Sequence, residues 1–117
     1  MILSILQQEN NMKVGERKNE GKLKWSLVSW AALEPLVKTL MFGANKYSAH
    51  NWKQGLKYTE ILDSMQRHIN SFSNAEDKDK ESGLDHVGHI LCNAMFLSYM
   101  CLFRKDLDDR YKGKINE

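Results

Sequence analysis

Apolar residues recur at three-and-four spacing from Ser29 to about Tyr47, where Trp30, Leu33, Leu36, Val37, Leu40 and Met41 predict a first helix. Pro35 lies inside this stretch, so the helix either begins close to it or bends there. A second helix is predicted from Thr59, a capping residue, to about Phe72, with Ile61, Leu62, Met65, Ile69 and Phe72 on its buried stripe. A third, from about Ser82 to Arg104, is the most apolar of all. Its Leu84, Val87, Ile90, Leu91, Ala94, Met95, Leu97, Met100 and Cys101 cover so much of the circumference that a single chain can hardly enclose it. The pattern predicts an all-α fold whose three main helices pack into a bundle completed by homo-oligomerisation, as a homodimer or larger assembly.

The segments between these helices are polar. Residues 1–20 open with Ile2, Leu3, Ile5 and Leu6 and then turn polar, which reads as an arm and linker; residues 21–105 form the helical domain, and 106–117 a tail whose 106–112 stretch can add a short amphipathic helix. At 117 residues there is room for one domain with one modest core. With 42% hydrophobic residues, 27% charged residues and a net charge of +2, the chain lacks the concentrated basic face that a nucleic-acid duplex calls for. Cys92 and Cys101 stand nine apart in the most apolar segment and read as reduced core thiols of a cytoplasmic protein. The amino terminus lacks the basic start and cleavage site of a signal peptide, and no uninterrupted apolar run reaches the ~20 residues of a membrane span, so no membrane partner is expected.

The chemistry gathers at the head of the third helix. From Glu76 to His89, fourteen residues carry five carboxylates and two imidazoles, among them Glu76, Asp79, Glu81, Asp85, His86 and His89. On a helix His86 and His89 share a face with Asp85 and, one turn later, Asn93. Such a set can hold a divalent cation; oxygen donors favour Mg2+ or Mn2+, and added imidazoles favour Mn2+, Zn2+ or iron. Glu34, beside Pro35 in an apolar stripe, is placed to join it, although it can equally face water. Solvated capping groups are the competing account of the acidic run. Cations and aromatics precede this cluster in the chain. Lys46, Tyr47, Asn51, Trp52 and Lys53 occupy one loop, and Arg67 and His68 follow on the second helix; with Lys22 they offer charge, stacking and edge hydrogen bonds to a phosphorylated base. Trp52 can also plug the core, and Arg67 can pair with Asp63.

The runs Gly21-Lys22, Ala32-Leu33-Glu34, Phe42-Gly43-Ala44-Asn45-Lys46-Tyr47, Asn51-Trp52-Lys53-Gln54-Gly55, Arg67-His68, Glu76 to Leu84 and His86-Val87-Gly88-His89 with Asn93 occur in an order that resembles the phage-borne dATP/dGTP diphosphohydrolase family. That family is similar to the all-α MazG-like nucleotide pyrophosphohydrolases. The resemblance implies an oligomeric, Mg2+- or Mn2+-dependent enzyme of the host cytoplasm that cleaves a purine deoxynucleoside triphosphate to monophosphate and pyrophosphate. The paired Glu-x-x-Glu and Glu-x-x-Asp metal ligands of MazG enzymes are not reproduced; Glu60-x-x-Asp63 and Glu76-x-x-Asp79 are partial echoes. The expected roles are metal ligation by a subset of Glu34, Glu76, Asp79, Glu81, Asp85, His86 and His89, and proton transfer by His68 or His89. Phosphate and base binding fall to Lys22, Lys46, Tyr47, Asn51, Trp52, Lys53, Arg67 and Asn93. A second reading is a phage sponge that sequesters a cyclic nucleotide or cyclic ADP-ribose signal uncleaved. An HD-type phosphohydrolase ranks last, since its helix needs His before Asp and here the order is Asp85-His86.

Overall fold

A computed structural model describes residues 14–113, and among them the regular structure is helical throughout. Three helices carry the fold: α1 (Trp30–Lys46), α2 (Tyr58–Ser73) and α3 (His86–Phe103), with single 3-10 turns at Trp25–Leu27, Asn51–Gln54 and Lys105–Leu107. Most of the expected amino-terminal arm lies outside the described residues.

Helix α1 starts where the chain supplies a cap. The Ser29 hydroxyl accepts a hydrogen bond from the Ala32 amide at 3.2 Å, a contact worth about 1 kcal/mol in such positions. Pro35 sits within the helix without ending it. At the far end the Tyr47 amide returns to the Gly43 carbonyl at 2.9 Å, and the chain leaves through His50 in a left-handed conformation, φ 62°.

Helix α2 is capped from a distance. Thr59 does not cap it, because the helix begins one residue earlier, at Tyr58, and Lys57 makes no side-chain cap. The Asp109 carboxylate accepts from the Thr59 amide at 2.9 Å and from its hydroxyl at 2.6 Å. The segment after Lys105 therefore forms no amphipathic helix beyond one 3-10 turn; it runs back as a strap over the start of α2. Arg104 also donates to the Gln54 carbonyl at 3.1 Å, tying the strap to the loop between α1 and α2.

Helix α3 packs against both α1 and α2. It begins at His86, four residues later than the apolar pattern predicts, because residues 77–86 close on themselves first. The Asp79 amide donates to the Leu84 carbonyl at 2.8 Å, and the His86 amide donates to the Asp77 carbonyl at 2.9 Å. Gly83 takes φ +72° at the tip, a conformation that side chains resist. Against α2, α3 runs antiparallel, with Tyr58 bonded to the Met100 carbonyl, Ser64 to Asn93 and His68 to His86.

That shared stripe changes character along its length. At one end Tyr58, Ile61 and Met100 are buried and packed by Trp52, Met65, Phe96 and Leu97. Burying each of these large side chains contributes roughly 1.5–3 kcal/mol. At the other end the same faces present Ser64, His68, His86, His89 and Asn93, so the core ends in a polar site. Outside the bundle, Trp30, Val37 and Met41 leave 65%, 49% and 62% of their surface exposed along one side of α1. By length and composition alone α3 is apolar enough to cross a membrane, since residues 86–103 contain no Asp, Glu, Lys or Arg. Its His86, Cys92, Asn93 and Met100 are nevertheless buried against the other helices.

Candidate active site

One cleft of about 940 Å³ opens between the three helices. Its walls include Lys46, Tyr47, Asn51, Trp52 and Lys53 from the α1–α2 connection, Arg67 and His68 from α2, Glu76, Asp79 and Glu81 from the loop, and His86, His89 and Asn93 from α3. The cationic and aromatic group thus lines the same space of nucleotide size as the imidazole and carboxylate group, and the two meet where Lys46 touches Glu81. Lys22, Glu34 and Asp85 stand apart from it. Lys22 lies in an exposed turn before α1, and Glu34 lines a separate shallow depression with Trp30 and Val37 on the outer side of α1. Asp85 is an exposed residue at the start of α3 and makes no side-chain cap.

Within the cleft the imidazoles are held in two linked chains. His86, 2% exposed, places Nε2 at 3.1 Å from Glu76 Oε1 and Nδ1 at 2.8 Å from His68 Nδ1. An ionised Glu76 only accepts, so His86 donates from Nε2, accepts at Nδ1, and His68 donates to it from its own Nδ1. His89 places Nε2 at 2.7 Å from Ser82 Oγ, and Ser82 donates backbone and hydroxyl hydrogen bonds to Asp79 Oδ2 at 2.8 and 2.9 Å. The His68 and His89 rings lie face to face, with centroids 4.3 Å apart and planes 2° from parallel.

These surroundings set the charge states. Burial holds both His68 and His89 below the usual imidazole range, reinforced for His68 by the neighbouring His89. Asp79 Oδ2 lies 3.8 Å from His89 Nε2 and pulls that ring the other way, but burial outweighs it. For Asp79 itself burial acts upward, and the Ser82 hydrogen bonds with the nearby imidazoles overcome it, so the carboxyl sits below its ordinary value. Ionised Asp79 and neutral imidazoles are the forms in which all three can ligate a cation. Donor atoms of His68, Asp79 and His86 lie within 4.8 Å of one another, close enough that they could hold a cation, while Glu34 and Asp85 lie away from them.

The cationic and aromatic group is less uniform than its composition implies. Trp52 stacks on Phe96 at 4.8 Å and meets Tyr99 edge-on at 4.8 Å, so it anchors the loop to the core. Tyr47 lines the cleft, is 65% exposed, and has Lys46 Nζ 5.5 Å from its ring centre. Lys46 holds Glu81 at 2.7 Å in an exposed pair of the kind that contributes little to stability and yields readily to another anion. Arg67 meets no carboxylate among the described residues, Asp63 included. Asn93 commits its amide protons to Ser64 Oγ at 3.2 Å and the His89 carbonyl at 3.0 Å, so it braces α2 against α3.

The profile of a family described as dATP/dGTP diphosphohydrolase, N-terminal, matches residues 12–110. The chain belongs to that family. A dATP/dGTP diphosphohydrolase of Salmonella phage PMBT28 is 34% identical over 96 residues, which make up 82% of this chain and 33% of the relative. The chain spans about a third of the length of that curated relative. No solved structure matches it.

In this member of the diphosphohydrolase N-terminal family the sequence reading missed Ser82 as the link between Asp79 and His89. A signal for it exists, since an Asp three residues before a Ser is spaced for a side chain to accept from the later amide. For Ser64 and its contact with Asn93 the local sequence carries no signal.

Proposed function

We propose that the chain hydrolyses a purine deoxynucleoside triphosphate to the monophosphate and pyrophosphate in this cleft. The reading is carried by one observation: free or readily freed cations line a single cavity together with an imidazole and carboxylate cluster. The name of the phage relative, a dATP/dGTP diphosphohydrolase, points to the same substrates.

Arg67 is placed to take two phosphate oxygens with its planar fork, and Lys53 adds charge from the loop. Lys46 joins them when an incoming phosphate displaces Glu81. The exposed Tyr47 ring stacks the base, with Asn51 at its edge. Water attacks the α-phosphorus, a new P–O bond forms there, and the bond to the bridging oxygen of the β-phosphate breaks. The water proton passes to His89, which is neutral and held in place by Ser82 and by the His68 ring. Pyrophosphate leaves against Lys46, Lys53 and Arg67. A Mg2+ or Mn2+ ion at the cluster would neutralise phosphate charge and acidify the attacking water. His68, Asp79 and His86 would hold it, with Glu76 fixing the His86 ring. The exposed α1 stripe of Trp30, Val37 and Met41 supports assembly of copies, which sedimentation would reveal.

The test is a panel of nucleotides incubated with Mg2+ or Mn2+ and assayed for monophosphate, pyrophosphate and recovered ligand. Products from dATP or dGTP are expected, and His89→Ala lowers turnover by about 100-fold or more while the fold persists. Intact nucleotide released on heat denaturation, with no product at any metal, refutes hydrolysis and points to sequestration.

A further inference from the structure

We propose that His68, His86 and Asp79 form a two-imidazole, one-carboxylate site built for a six-coordinate transition ion of the manganese, iron(II) or cobalt class rather than for Mg2+. This deepens the metal part of the proposed function and does not depend on which nucleotide binds.

Mg2+ seeks oxygen ligands, whereas two imidazoles in a set of three suit the later divalent ions, and three protein donors within 4.8 Å of one another leave positions open for water or substrate oxygen. The two Nδ1 atoms stand 2.8 Å apart. Neighbouring ligands of an octahedral ion with bonds of ~2.1 Å are about 3.0 Å apart, while a tetrahedral ion spreads them to about 3.4 Å. In the metal-free protein that short contact needs a proton between the rings, and a cation would take its place.

The donors are also braced from behind. Histidine ligands characteristically give their second ring N–H to a carboxylate, and His86 does so through Nε2 to Glu76 at 3.1 Å. The Asp79 carboxylate makes its contacts to Ser82 and His89 through Oδ2, which leaves Oδ1 as the oxygen available to a cation. His86 is 2% exposed, so its ring is fixed before anything binds. Asp85, exposed and outside the cleft, takes no part.

The experiment titrates chelator-treated full-length protein with Mn2+, Co2+ and Mg2+ by calorimetry, and records proton NMR of the Co2+ form. One Mn2+ or Co2+ per chain is expected, with Mg2+ weaker by about 100-fold. The Co2+ form should show two strongly shifted, solvent-exchangeable imidazole N–H signals. His86→Gln should lose one signal and at least about tenfold in affinity, while Asp85→Asn keeps both. Mg2+ binding as tightly as Mn2+, or a Co2+ form of the unaltered protein without shifted imidazole signals, overturns the proposal, and this second reading stands even if His86→Gln fails to fold. Both signals with no product from any nucleotide keep the site and refute the hydrolase. Products made with Mg2+ by a protein lacking those signals do the reverse.

Discussion

Gly88 is where α3 comes closest to α1, and replacing it with alanine tests the packing that sets the cleft. A Cβ built there lies 2.5 Å from the Pro35 carbonyl oxygen, 2.7 Å from Thr39 Oγ1 and 3.0 Å from the Pro35 carbonyl carbon. An ordinary carbon to oxygen contact is about 3.3–3.6 Å, so the helices must part by nearly an ångström. The obstacle is main chain within α1, and the Thr39 hydroxyl that could move is already bonded to the same carbonyl at 2.9 Å. Overpacking of this kind costs about 1–3 kcal/mol. Alanine recovers about 0.5–1 kcal/mol of helix preference over glycine, so the expected net loss is roughly 1–2 kcal/mol. For a domain of this size that lowers the melting temperature by roughly 5–15 °C. Gly43 is the matched control: it lies inside α1, a Cβ there meets nothing within 4 Å, and Gly43→Ala should stabilise by about 0.5–1 kcal/mol. Thermal and urea unfolding followed by far-ultraviolet circular dichroism reads both. Gly88→Ala as stable as the parent, or both substitutions shifting the same way, would refute the close approach of α1 and α3.

Stability should fall as the medium is acidified from about pH 6.5, where an unfolded imidazole begins to take up a proton. His68 and His89 have depressed values in the folded chain, so through this window the unfolded state binds the extra protons and is favoured, until the folded values are reached. Asp79, held below its ordinary value, adds a loss in the same direction at lower pH; a urea midpoint unchanged between about pH 8 and pH 5 would contradict the imidazole part. Asp109→Ala removes both hydrogen bonds to Thr59 and should lower the unfolding midpoint and speed amide exchange in the first turn of α2, whereas unchanged exchange there would remove the strap from its capping role. A thiol reagent should titrate one cysteine in the native protein and two after denaturation, because Cys101 is exposed while burial pushes the Cys92 thiol up to about 12. Two reactive thiols before unfolding would place Cys92 at the surface.

Much of this molecule could be read without coordinates, because a helix writes its own period into the chain. The spacing of Trp30 to Met41 and of Ile61 to Phe72 located α1 and α2 to within a residue or two, and the residue types from Lys46 to Lys53 and from Glu76 to His89 named the chemistry available. Local pattern failed at the head of α3, where Ser82 to Asp85 suit a helix well enough but bonds from Asp79 and His86 across the loop hold them outside it. It failed again wherever one side chain had two plausible occupations. Trp52 is claimed by Phe96 and Tyr99, Asn93 by Ser64, and Thr59 by an aspartate fifty residues away. Composition decides which groups a chain can bring to a site. Which atoms meet there depends on contacts between distant segments, and neither helical period nor capping preference encodes those distances.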